Sequence, residues 1–136
     1  MKTIEKIIPY EQLLAFTIAI FKKIGCPEED ANTAALALLS ADLRGIDSHG
    51  VARLAGYVRL QEAGRANTRP QIRVIHETPS TAVVDGDSGL GLVVAPFAMQ
   101  VAIQKAAQVG TGWVSVRNSN HFGIAGYHAL QAVEKE

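Results

Sequence analysis

Apolar positions recur at helical spacing through the first part of the chain. Leu13, Leu14, Ile18, Phe21 and Ile24 line one face of "YEQLLAFTIAIFKKIGCP", which predicts an amphipathic helix. Gly25 and Pro27 end it, and Lys22 and Lys23 stand where a helix C-terminus favours cations. "PEEDANTAALALLSADLRG" predicts a second helix, opened by Pro27 and acids and closed by Arg44 and Gly45. A third is predicted from about Ser48 to Ala63, closed by Gly64. The period then changes. "QIRVIHE" and "STAVVDG" are short, β-branched and bounded by Pro, Gly and Asp, so both read as strands. "GLVVAPFAMQVAIQKAAQVG" returns to helical composition, with Pro96 tolerated near its first turn. "GWVSVRN" is a third strand, and a last helix begins at Gly123 and runs toward Glu136. The order predicts a mixed α/β fold, with a helical segment over 1–65 and a β/α part over 66–136.

Composition narrows the function classes. Hydrophobic residues make up 48% of the 136 and charged residues 19%, a balance suited to one domain with a real core. Thirteen basic residues offset thirteen acidic ones, so no net field attracts nucleic acid or an anionic membrane. Lys and Arg form no basic stripe among aromatics, which argues against a nucleic-acid partner. Cys26 is the only cysteine, so no internal disulfide and no thiolate zinc cluster can form. "LLAFTIAIF" is far too short to span a bilayer, and "KKIGCPEED" offers no small-residue cleavage site. The expectation is a cytoplasmic protein with no membrane partner and no bound metal.

Candidate chemistry concentrates in "DLRGIDSHGVARLAGY". At 100° per residue His49, Arg53 and Tyr57 share one helical face, with Asp47 or Ser48 as the cap. An imidazole and a guanidinium beside the free N–H groups of a helix start suit an anion, above all a planar carboxylate. Ser48 is placed to orient the His49 ring, and Gly50 reads as room for a ligand near the backbone. The residues equally fit a plain capped helix with His49 and Arg53 solvated, or a non-catalytic carboxylate-binding or interaction module.

A second stretch, "SVRNSNHFGIAGYHAL", passes from a strand ending near Val116 through a polar loop to His121 and a helix start. That is where α/β proteins commonly bind ligands, and His121 suits proton transfer or cofactor contact. A turn histidine bonded to a neighbouring carbonyl is the competing reading. His76 and His128 have no such setting and read as structural or solvated. In "VVDGDSGLGLVVA", Gly89 and Gly91 supply G-x-G, but Val94 occupies the third glycine position. The stretch reads as a tight strand-to-helix turn using glycine for its torsion angles, not as a Rossmann fingerprint.

Taken together, "LRGIDSHGVARL", "VVDGDSGLGLVVA" and "VRNSNHFGIAGYHAL" resemble the malate/L-lactate dehydrogenase-like oxidoreductases, a non-Rossmann family. The resemblance implies reversible hydride transfer between NAD or NADP and a small 2-oxo acid, 2-hydroxy acid or cyclic imino acid. It implies that Ser48 orients His49, which exchanges a proton with substrate; Arg53 clamps the carboxylate, and Tyr57 lies on the same wall. His121 matches a histidine assigned as proton acceptor in some members. His121, Phe122, Gly123, Ile124 and Ala125 match a cofactor-contacting loop. Members of this family continue well beyond position 136. The chain is thus expected to be an apparently truncated front portion, inactive alone, of a homodimer.

Overall fold

The computed structural model describes residues 7–135, so Glu136 and the first six residues of the expected helical segment lie outside it. Helix α1 (Tyr10–Lys23) and helix α2 (Glu28–Asp42) form an antiparallel-connected pair joined by Gly25, whose φ of 103° only glycine takes readily. Of the expected face on α1, Phe21 is fully buried and Leu13, Leu14, Ile18 and Ile24 pack around it. Thr17 is also buried, its hydroxyl donating to the Leu13 carbonyl at 2.8 Å. Helix α2 buries Ala31, Ala34, Ala35, Ala37, Leu38, Leu39 and Ala41, more than one face's worth. Its small side chains let neighbouring elements approach from several sides.

The expected third helix is broken. Asp47–His49 and Val51–Arg53 are two separate 3-10 turns, and helix α3 spans only Leu54–Glu62. Beyond it lies a three-stranded sheet in the order β1-β2-β3: β1 (Arg73–Glu77), β2 (Thr81–Gly89) and β3 (Trp113–Ser119). Strands β1 and β2 are antiparallel, whereas β3 runs parallel to β2, with Val84 opposite Val116. A parallel neighbour requires a crossover, which helix α4 (Gly91–Val109) provides. Its Val94 and Ala98 pack on Val84, Ile72, Val74 and Val114, forming a small core beneath the sheet. By length and composition α4 could cross a membrane. It lies instead against β2 and β3, and its buried Lys105 reaches Glu77 at 2.9 Å and the Thr78 carbonyl at 2.7 Å. Helix α5 (Ala125–Val133) follows the sheet and packs on α4.

Strand β3 runs to Ser119, one residue past the predicted "GWVSVRN" and three past the end expected near Val116. Asp85 explains this. Its carboxylate accepts from the Asn118 side chain at 3.1 Å and the Asp87 N–H at 2.9 Å, and it pairs with Arg117 at 3.2 Å. These contacts tie the ends of β2 and β3 together, with Asn118 held at φ 49°. The Asp87 N–H first, then Asn118, then the Arg117 and Arg73 charges, hold the Asp85 carboxyl below the usual carboxylate range, against its burial.

Candidate active site

Asp42, the last residue of α2, shapes the first half of the site. Its Oδ2 accepts the Val51 N–H at 2.8 Å, nine residues along the chain. The Val51 N–H is thus capped from outside, as the first donors of a helix commonly are, and the chain makes two tight turns before α3 begins. No side chain of Asp47 or Ser48 caps a helix here. Gly50 is also reassigned: a Cβ there would overlap the Asp42 carboxylate. The room it makes is for Asp42, not for a ligand. Arg53 Nε donates to the Ser48 carbonyl at 2.7 Å, and the Ser48 hydroxyl lies 2.9 Å from His49 Nδ1. These bonds fold the half-exposed His49 and the exposed Arg53 toward one another.

The second half is laid on α4. A Cβ at Gly91 would overlap the Asn120 carbonyl and crowd that of His121. The G-x-G thus serves close backbone approach and not unusual torsions, since neither Gly89 nor Gly91 has a positive φ. The same approach fills the space over the first residue of α4, so this helix start offers no open cradle for a diphosphate. The Asn120 side chain donates to the Ser88 carbonyl at 2.9 Å and the Gly89 carbonyl at 3.0 Å, locking the loop before His121 to the end of β2.

The two halves meet at His121. Its Nδ1 lies 2.8 Å from the Tyr57 hydroxyl and 3.2 Å from the Gly123 N–H. Its ring stacks on His49, with centroids 5.5 Å apart and planes 28° from parallel. Ser48, His49, Arg53, Tyr57 and His121 therefore converge, although more than sixty residues separate the two segments. Tyr57 is 2% exposed against Phe21, with its hydroxyl engaged by His121. Burial pushes its phenol up to about 12, against the Arg53 charge, so it stays neutral.

A backbone N–H can only donate, so His121 Nδ1 must accept, and the neutral ring carries its proton on Nε2. Burial, then the Arg53 and His49 charges, hold His121 below the ordinary histidine value. Within the expected cofactor loop, Gly123 and Ile124 are buried by the chain itself; His121, Phe122 and Ala125 keep exposed surface. Phe122 and Ala125 border a groove of about 570 Å³ whose walls include Met99, Ala102, Trp113 and Val116. That apolar surface fits the flat ring of a nicotinamide, while the covered α4 start does not fit its diphosphate.

Sequence reasoning missed Asp42 and Asn120. Asp42 and Asn120 act through long-range contacts that leave no periodic signal. His76 lies exposed on β1 as a solvated residue, whereas His128 is buried and bonded to the Phe122 carbonyl at 2.8 Å.

A family model described as malate/L-lactate dehydrogenase matches residues 8–136. The chain belongs to the malate/L-lactate dehydrogenase family. It is 52% identical over 128 residues to the malate dehydrogenase of Pyrococcus abyssi, covering 94% of this chain and 35% of that protein. It is 48% identical over 119 residues to the L-sulfolactate dehydrogenase of Methanocaldococcus jannaschii, covering 88% of this chain and 35% of the relative. The solved structure of malate dehydrogenase from Pyrococcus horikoshii superposes with a TM-score of 0.92 at 52% identity, over 94% of this chain and 37% of that one. The chain thus spans about a third of the length of these members of the family.

Proposed function

We propose that this chain carries the substrate side of an NAD- or NADP-dependent dehydrogenase acting on a small 2-hydroxy acid. The observation that carries the reading is the stacking of His49 on His121 beside the Arg53 guanidinium. With Nε held by the Ser48 carbonyl, the remaining Arg53 nitrogens are left to grip a substrate carboxylate with two parallel bonds. A bound nicotinamide supplies or accepts the hydride. His49 has Nδ1 toward Ser48, whose hydroxyl can donate or accept, so its Nε2 can take the hydroxyl proton during oxidation and return it during reduction. His121, with its proton on Nε2, donates a hydrogen bond to the same substrate oxygen. Phe122 and Ala125 form the edge against which the nicotinamide ring would lie. The homodimer implied by resemblance and the cytoplasmic location expected from the sequence are part of this proposal.

The test uses the complete enzyme with malate, sulfolactate or lactate and either cofactor. Arg53→Ala is expected to raise KM by about tenfold or more, the loss of one charge-assisted pair. His49→Ala is expected to lower kcat by roughly a hundredfold or more. Wild-type kinetics in both variants overturn the assignment.

A further inference from the structure

His128 sits on α5, 7% exposed, with its Nε2 at 2.8 Å from the Phe122 carbonyl. A carbonyl only accepts, so this nitrogen carries the ring proton. Nδ1 is then a bare acceptor, and it has no partner among the described residues. The ring is wedged edge-on against Phe122, with centroids 5.6 Å apart, and Tyr127, at 5.3 Å. A proton on Nδ1 would place an unpaired charge inside this wall. Burial accordingly pulls His128 below the ordinary histidine value, outweighing the Phe122 carbonyl, which acts the other way.

The Phe122 carbonyl and the Gly123 N–H belong to one peptide plane, and no cis peptide occurs among the described residues. In a trans plane the two groups point in opposite directions. The plane therefore bridges two histidines. His128 donates to its oxygen at 2.8 Å, and its N–H donates to His121 Nδ1 at 3.2 Å. A hydrogen bond at the carbonyl polarises the amide and strengthens its N–H as a donor.

We propose that His128 is a positioning residue that acts on His121 through the Phe122–Gly123 peptide, fixing that plane and keeping the His121 proton on Nε2. The importance of that tautomer rests on the reading of His121 as a site residue. The other groups facing His121 are Tyr57 from α3 and His49 and Arg53 from the two 3-10 turns. None of them touches the Phe122 carbonyl, so the His128 contribution is separable from theirs.

The test is nitrogen and amide NMR on the 136-residue chain without ligand. In the unaltered chain His121 Nδ1 and His128 Nδ1 should both show the signature of an unprotonated nitrogen; a proton on His128 Nδ1 overturns the proposal. His128→Leu removes the donor. Its His121 should carry more of its proton on Nδ1 and titrate higher, toward the ordinary histidine value, because a bond favouring the neutral ring is weakened. The Gly123 amide proton should shift upfield. His128→Gln, whose terminal amide reaches as far as Nε2, should restore both signals. If the leucine variant does not fold, His128→Asn replaces it, since its shorter amide cannot reach Phe122. Indistinguishable His121 and Gly123 signals in the asparagine and glutamine variants overturn the proposal. No readout depends on turnover, so a failed dehydrogenase assay would leave this test intact.

Discussion

His49 and His121 stack at 5.5 Å, yet the segments that carry them are fixed by different chemistry. The His49 segment hangs on side chains: Asp42 on the Val51 N–H, Ser48 on the ring, Arg53 on the Ser48 carbonyl. The His121 segment is fixed by backbone packing and a shared peptide plane: Gly91 beneath its carbonyls, Asn120 across two more, Gly123 on Nδ1. Flexible side chains can swing, while packed backbone cannot. In the proposed reaction, the group that exchanges a proton with substrate gains from adjustable support. One that offers a hydrogen bond in a single direction gains from a rigid mount.

Adding one methyl group to each segment puts this contrast to its sharpest test. Gly91→Ala would drive a Cβ into the Asn120 and His121 backbone, which is trapped between α4 and Tyr57. The expected cost is roughly 3 kcal/mol in urea unfolding, the upper range for overpacking. Gly50→Ala first meets the end of the Asp42 side chain. That carboxylate can rotate away at the loss of its bond to Val51, so about 2 kcal/mol is expected. If the Gly50 variant proves the more damaging, the His49 segment is the rigid one and the comparison is inverted.

The same contrast decides what the sequence revealed. Local signals carried far: Gly25 and Pro27 bounded α1, and "GLVVAPFAMQVAIQKAAQVG" outlined Gly91–Val109 almost to the residue. The strands were found because β-branched runs bounded by Gly and Pro have few other uses. The 3-10 turns were missed because the apolar spacing alone does not distinguish them from a helix start, and no periodicity announces the Asp42 bond to the Val51 N–H. Gly50 and Gly91 both stood out as glycines, but what each makes room for lies elsewhere in the chain. Ser48, His49, Arg53 and His121 could be picked out by residue type and motif. Their convergence, and the bond from the Tyr57 hydroxyl to His121, required the packed fold.

Removing one polar clamp from each segment separates them further. Asp42→Ala leaves the Val51 N–H to water, and Asn120→Ala removes a donor from the Gly89 carbonyl and from the Ser88 carbonyl, which keeps its bond from the Asn67 N–H. Each should cost about 1 kcal/mol, because both sites are partly open to solvent. The distinction lies in which ring moves. The alanine at 42 should shift and broaden the His49 resonances while leaving the His121 tautomer intact; the alanine at 120 should do the reverse. Equal disturbance of both rings by either variant would mean that the two mounts form a single unit.

The smallest effect is spread across pH, and it belongs to the His121 side. His121 and His128 are both held below the ordinary histidine value, chiefly by burial. The unfolded chain therefore binds more protons than the folded one as pH falls through the histidine range. Their contribution to stability is complete above that range and declines as the pH drops through it toward the lower folded values. Asp85, beneath the same segment, is held below the usual carboxylate range by the Asp87 N–H and Asn118. Its contribution is present above that range and is lost at more acidic pH, giving a second decline. Urea midpoints should therefore fall in two stages on acidification. His128→Gln should flatten the first stage and Asp85→Asn the second, while Asp42→Ala should leave the first unchanged. A midpoint that stays constant from neutrality to about pH 5 would show that the His121 mount does not discriminate against the charged ring.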